Sequence, residues 1–271
     1  MHKYLYFEEI DSTNTFLKNH YEELDDQTVV QAGHQTKGKG RLGRTWNDDS
    51  SSLVFSILLK DHLDASRLDL LPLLCGAAMV KTLEEEGIPS SIKWPNDIII
   101  QDKKCTGILL EAIHEEGVKA VIIGIGVNLN DESFPSDLTF KAISLHQVTS
   151  KVYDSRVVLT NFMKNFDLFY QQFLDRDDSF MEVVKSHSYL DGKRVYLNYY
   201  GEDQHGTVLS IAEDGTLKVR LNDQEVFLNS GEVTLEKNYN WWLQAHLWYI
   251  KRFNRKGTST KNENRFKSVR Y

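Results

Sequence analysis

The stretch Ser91–Asn130, SIKWPNDIIIQDKKCTGILLEAIHEEGVKAVIIGIGVNLN, decides how this chain folds. Its apolar runs SIKW, DIII, GILLEAI and AVIIGIGVNLN alternate with short polar breaks at Pro95–Asn96, DKK and EEG. Ile- and Val-rich runs bounded by Asn, Asp and Gly read as strands, and turns this short make the neighbours antiparallel. A turn at Asp102–Lys103 would pair Gln101 with Lys104 and put Asp97 and Lys104 on one sheet face. Four residues of strand is about 13 Å, long for a direct ion pair but close enough to line one pocket.

Working toward the N-terminus, Leu53 to Lys60 is a strand preceded by a polar, Gly-rich loop from Gln35 to Ser52. Thr28 to His34 and Lys3 to Ile10 are further strands. Between them Ser12 or Thr13 caps a short helix with Phe16, Leu17, Tyr21 and Leu24 at helical spacing. Ser66 to Gly87 reads as the longest amphipathic helix, with Pro72 in its first turns, where proline is tolerated. Toward the C-terminus, helical patterns cover Ser155 to Phe173 and Asp178 to His187. After Asp191 five short strands lie between Gly turns, the texture of a small β-barrel. The expectation is a mixed α/β (α+β) domain over residues 1–188, a barrel over 189–236 and a basic, aromatic extension over 237–271.

Length agrees, since 271 residues suit one large domain plus a small one. No apolar run approaches the roughly 18 residues that would span a bilayer, so no membrane association is expected. The opening MHKYLYFEEIDSTN is acidic where a signal peptide needs its apolar stretch, and its two cysteines, Cys75 and Cys105, lack CxxC spacing. A disulfide scaffold and a zinc knuckle are thereby excluded, and a reducing cytoplasm is the expected location. Charge is unevenly spread. Residues 237–271 carry nine Lys and Arg against Glu263, leaving 23 basic against 38 acidic residues in the rest, a net of −15. Such a body repels nucleic acid, so a basic cluster inside it points to a local anionic ligand.

That cluster is GKGRLGRTW, Gly38 to Trp46, where Lys39, Arg41 and Arg44 sit among three glycines that free the backbone to approach an anion. It matches neither a Walker loop nor the Rossmann pattern. Read alone, it is either an anion-binding segment or a basic surface loop. KWPNDIII, Lys93 to Ile100, bends the chain and leaves Asn96 and Asp97 at a strand entrance, for a ligand or simply for a turn. Trp94 reads as core. Lys104 opens the next strand; such a lysine is solvated unless the other motifs recruit it. In IIGIGVNLN, Gly124 and Gly126 share a strand face with Asn128, leaving either a slot for a flat ligand or room for a helix to pack. Asp11 to Asn14, DSTN, gathers more hydroxyl and amide groups at a helix start than capping needs.

In this order, DSTN, Q-x-x-G-K-G-R-x-G-R-x-W, KWPND, K-x-x-G-I-L-x-E, GIGVN and a barrel ending in SGEV, the sequence resembles the biotin–protein ligases (biotin–[acetyl-CoA-carboxylase] ligases) from about Phe7 to Leu235. The resemblance implies a class II synthetase-like mixed-sheet domain with a small C-terminal SH3-like barrel. It implies ligation of biotin and ATP into biotinyl-5′-AMP, with Mg²⁺, then transfer to a lysine of a biotin carboxyl carrier protein, and it admits a homodimer. By the same resemblance Ser12, Thr13, Asn14 and Gln35 hold the biotin ureido end, over a floor containing Gly107, Gly124 and Gly126. Lys39, Gly40 and Arg41 fold over the carboxyl and phosphate, with Arg41 and Lys104 catalytic. Arg44, Trp46, Asn96, Asp97 and Asn128 serve the nucleotide, and Asp97 the Mg²⁺.

Two departures stand out. Lys39 replaces the family's usual arginine, and an ammonium cannot grip a carboxylate bidentately. The match also begins near the first residues, without the family's helix-turn-helix domain, so the expected form is monofunctional and no DNA binding is expected. The rival readings are a lipoate–protein ligase of the same fold and a non-catalytic biotin-binding module. For the extension, NYNWWLQAHLWYI is either a helix docked on the body before a disordered tail, or the start of a basic arm reaching an acidic carrier or a membrane surface.

Overall fold

A computed structural model describes residues 2–48, 50–229, 231 and 233–236; the extension over 237–271 lies outside the described residues. The first half of the chain builds a seven-stranded sheet. In chain order its strands are β1 (Tyr4–Ile10), β2 (Val29–Gln35), β3 (Leu53–Leu59), β4 (Ser91–Lys93), β5 (Asp97–Ile100), β6 (Lys103–Glu115) and β7 (Gly117–Val127). They lie side by side as β1-β2-β3-β7-β6-β5-β4. Only β1 and β2 run parallel, joined through helix α1 (Thr13–His20), as a parallel pair requires. The remaining neighbours are antiparallel, as the short turns demand.

One sheet face is covered by α2 (Leu71–Glu85), which packs on α4 (Ser155–Leu174) and α5 (Phe180–Ser186). A five-residue helix, α3 (Leu145–Thr149), begins at a capping box formed by Ser144 and Gln147. The expected long helix from Ser66 to Gly87 is divided. A 3₁₀ segment runs over Ala65–Leu70, and α2 begins only at Leu71, because Pro72 has no N–H to bond back into the preceding turn. Among the described residues the longest helix is α4, of 20 residues. α2 is apolar around most of its circumference, as suits a helix enclosed by sheet and helices rather than one at the surface.

Five further strands form the second sheet: β8 (Arg194–Tyr199), β9 (Glu202–Ile211), β10 (Leu217–Leu221), β11 (Gln224–Leu228) and β12 (Val233–Leu235). Their order is β11-β10-β9-β8-β12, all antiparallel. Val195, Leu197, Val208, Leu217 and Val219 from this sheet join the same buried cluster as α2 and the first sheet. Trp94 is a core residue, as expected, and its Nε1 donates 2.9 Å to the carbonyl of Gly215 in the β9–β10 turn. Trp94→Phe leaves that buried carbonyl unpaired. The expected cost is about 1–2 kcal/mol, or a Tm lower by roughly 2–8 °C in calorimetry.

Cys75 and Cys105 are buried and unpaired, and burial pushes the Cys105 thiol up to about 12 and Cys75 in the same direction. Neither supplies a thiolate nucleophile. Among the described residues no helix is long and apolar enough to cross a membrane.

Candidate active site

The sheet face opposite α2 carries α1 at one end, and beside it the Gly38–Trp46 loop closes a cavity. Alternation along antiparallel strands brings Val54, Ser56, Gly124, Gly126, Gly107 and Leu109 to this face, since Ser56 pairs with Gly124 and Gly126 with Gly107. Ser12, Thr13, Asn14, Gln35, Lys39, Gly40, Arg41, Trp46, Asn96, Lys104, Gly107, Gly124 and Gly126 all line the cavity, residues that sequence reading selected from five separate motifs. Arg44, Asp97 and Asn128 do not. Arg44 is exposed on the loop, and buried Asn128 donates through Nδ2 to the carbonyls of Lys104 and Ile143.

One end is a chain of hydrogen bonds. Ser12 caps α1. Gln35 Oε1 accepts from the Thr13 backbone N–H at 2.7 Å, Thr13 Oγ1 lies 2.6 Å from Ser56 Oγ, and Ser56 Oγ donates 2.6 Å to Asn14 Oδ1. Asn14 Nδ2 donates 2.8 Å to Glu111 on β6, and Lys18 Nζ stands 4.0 Å from that carboxylate. Ser56 was not selected from sequence, and Glu111 stands there only as the last residue of K-x-x-G-I-L-x-E, without a role, although each is conspicuous as the one polar side chain in LVFSILL and in GILLEAI. Asp48, also unselected, accepts the backbone N–H groups of Gln35 and Ser50, tying the loop's exit to the end of β2.

The other end is cationic. Lys104 Nζ is 2.7 Å from Asp97 Oδ1, so the expectation that the two lie too far apart for a direct ion pair is overturned. The hairpin turn falls on Gln101–Asp102, both with positive φ, rather than on Asp102–Lys103. Pairing then slips from Ile98 with Thr106 to Ile99 with Lys104, leaving Cys105 as an extra residue on β6. This bulge returns Lys104 and Gly107 to one face. A Cβ on residue 107 would stand 2.9 Å from Lys104 Nζ, so the bare backbone at Gly107 is what lets the ammonium reach Asp97.

The expected slot over Gly124 and Gly126 is occupied by the protein itself. A Cβ at 124 would meet Asn14 Oδ1 at 2.2 Å, and one at 126 would meet the Trp46 indole at 2.4 Å. The glycines therefore seat α1 and the loop, and the remaining free volume is about 50 Å³. The loop is pinned from both sides. Lys39 Nζ donates 3.0 Å to Thr15 Oγ1 on α1, and Arg41 donates to Asn96 Oδ1 (2.9 Å) and to the Gly231 carbonyl (3.3 Å). Leu42 and Gly43 both take positive φ at its tip.

Among the described residues no group of three His, Cys, Asp or Glu side chains is placed to hold a metal. One Asp97 oxygen already faces Lys104.

Fold and cavity together define an α/β protein with a small cavity on one face of its larger sheet, hydrogen-bonding at one end and cationic at the other. Residues 6–128 match the Biotin/lipoate A/B protein ligase family. The biotin protein ligase of Aquifex aeolicus, solved in complex with biotin and ATP, is 31% identical and superimposes with a TM-score of 0.77, over 86% of this chain and 98% of that one. The bifunctional ligase/repressor BirA of Bacillus subtilis is 32% identical over 77% of this chain and 66% of its own length. The biotin–[acetyl-CoA-carboxylase] ligase of Paracoccus denitrificans is 34% identical over 44% of this chain and 51% of its own. The chain thus spans about half to two thirds of these two curated relatives. It belongs to the biotin protein ligase family.

Proposed function

We propose that this chain joins biotin to ATP and passes the biotinyl group to a lysine of a biotin carboxyl carrier protein, in a reducing cytoplasm. The observation that carries this reading is the meeting, in one cavity, of the Gln35–Thr13–Ser56–Asn14 chain with Lys39, Arg41 and Lys104. A ureido ring with a distant carboxylate needs those two ends.

In the first step a biotin carboxylate oxygen attacks the α-phosphorus of ATP, the bond to the β-phosphate oxygen breaks, and pyrophosphate leaves. Two anions must approach, so catalysis is mainly positioning and charge stabilisation. Lys104 is assigned to the reacting carboxylate and α-phosphate, and Lys39, Gly40 and Arg41 to covering them. Ser12, Thr13, Asn14 and Gln35 hold the ureido group. Arg44, Trp46, Asn96, Asp97 and Asn128 serve the nucleotide side. ATP would enter as its magnesium complex, and Asp97 would be the residue of this chain that helps hold the ion, whose charge would offset that of the phosphates. In the second step the carrier lysine's neutral amine attacks the acyl carbon, AMP leaves and the amine proton passes to solvent. The mixed anhydride between the steps hydrolyses readily, which is the physical reason for a lid. With about 50 Å³ free, room for a few waters, substrate entry requires Trp46 and its loop to lift from Gly107 and Gly126.

The polar end also favours biotin over lipoate. A dithiolane ring has no N–H or C=O to offer and would leave this buried hydrogen-bonding chain unanswered. Pyrophosphate release from Mg-ATP with each acid, and mass spectrometry of a carrier domain mixed with the protein, decide between them. Release with lipoate alone, or no mass gain on the carrier with biotin, overturns the reading. Gly124→Ala, which displaces Asn14, is expected to weaken biotin binding about 100-fold by calorimetry.

A further inference from the structure

Glu111 does not itself line the cavity, yet it ends a chain of hydrogen bonds that begins there, accepting from the lining residue Asn14. Ser56 is fully buried, and Thr13 and Asn14 nearly so, so their few protons cannot be shared with bulk water. Each hydroxyl has one proton to give. Such a chain has two opposite polarities, and something must choose between them.

We propose that Glu111 is a positioning residue that sets the hydrogen-bond polarity of the ureido end, an assignment that rests on the biotin reading above. A carboxylate only accepts, so Asn14 must present Nδ2 to Glu111 and Oδ1 to Ser56. Ser56 then spends its proton on Asn14, and the 2.6 Å contact with Thr13 Oγ1 is filled by the Thr13 proton. Thr13 Oγ1 also lies 3.0 Å from Gln35 Oε1, but its proton is already committed, and that oxygen is held by the Thr13 backbone N–H instead. What remains for a ligand is lone pairs on Thr13 Oγ1 and N–H groups on Gln35. This is the complement of a ureido group, whose N–H donates and whose C=O accepts. Were the anchor a donor, Asn14 would turn over, Ser56 would accept from it and donate to Thr13, and the Thr13 proton would pass to Gln35 Oε1, 3.0 Å away, leaving the ligand one lone pair on Thr13 Oγ1 instead of two.

Glu111→Lys replaces an acceptor-only anchor by a donor-only one. Calorimetry with biotin is expected to show binding about 30-fold or more weaker while the protein stays folded. Glu111→Gln keeps the shape and can still accept from Asn14 through its amide oxygen, so it is expected to bind biotin within about threefold of wild type, although it removes the charge. Biotin binding by a folded Glu111→Lys equal to wild type, or by Glu111→Gln as weak as by Glu111→Lys, overturns the proposal. If the wild-type protein itself binds no biotin while Glu111→Gln folds normally, it is the functional reading that has failed.

Discussion

Lys104→Ala is expected to lower biotin-dependent pyrophosphate release by about three orders of magnitude, while the protein stays folded. Removing one preorganised charge donor from a water-excluded site commonly costs 10²–10³ in rate, and here the donor is a full positive charge. Its position is built by three separate features: the bulge at Cys105 that turns it into the cavity, the bare Gly107 beneath its chain, and Asp97 2.7 Å from its Nζ. Lys104→Arg is expected to rescue little, because a planar fork does not fit between Trp46 and Gly107. Single-turnover assays of adenylate formation make the comparison. Near-normal turnover in Lys104→Ala would remove this lysine from the chemistry.

Arg41→Gly is expected to act on retention. Arg41 fastens the loop to Asn96 at the β4–β5 bend and to the Gly231 carbonyl, while Lys39 holds the opposite side on Thr15. With Arg41 gone, one side of the lid loses both tethers. Adenylate formation should continue, but the anhydride should leave before transfer, labelling lysines on bystander proteins about tenfold or more above wild type. Labelling that stays confined to the carrier would mean that the loop is not the retaining element. An intact Lys39 tether predicts that Lys39→Ala combined with Arg41→Gly leaks more than either change alone.

Most residues around the cavity were legible as types in short motifs. Lys39, Arg41, Asn96 and Lys104 each sit beside a glycine, a proline or a strand start, and such signals are local. The partners of Ser56 and of Glu111, the last residue of K-x-x-G-I-L-x-E, were not legible, because each lies inside an apolar strand, where period-two alternation tells which face a residue takes but not what stands above it. The division of the helix before Leu71 was not legible, because a proline suits the first turn of a helix wherever that turn begins, and only the fold shows it beginning at Leu71.

By itself the sequence determined the alternation of strands and turns between Ser91 and Asn130, the second set of short strands after Asp191, and the gathering of cations at residues 39–44 in an otherwise acidic body. These follow from periodicity, turn chemistry and charge, which act over a few residues. Only the tertiary structure decided that Lys104 reaches Asp97, that Trp46 rests on Gly107 and Gly126, and that Asn14 meets a carboxylate 97 positions away. A one-residue bulge reverses a strand's faces downstream, and whether it forms depends on how both faces of the sheet pack. No window of local sequence contains that information.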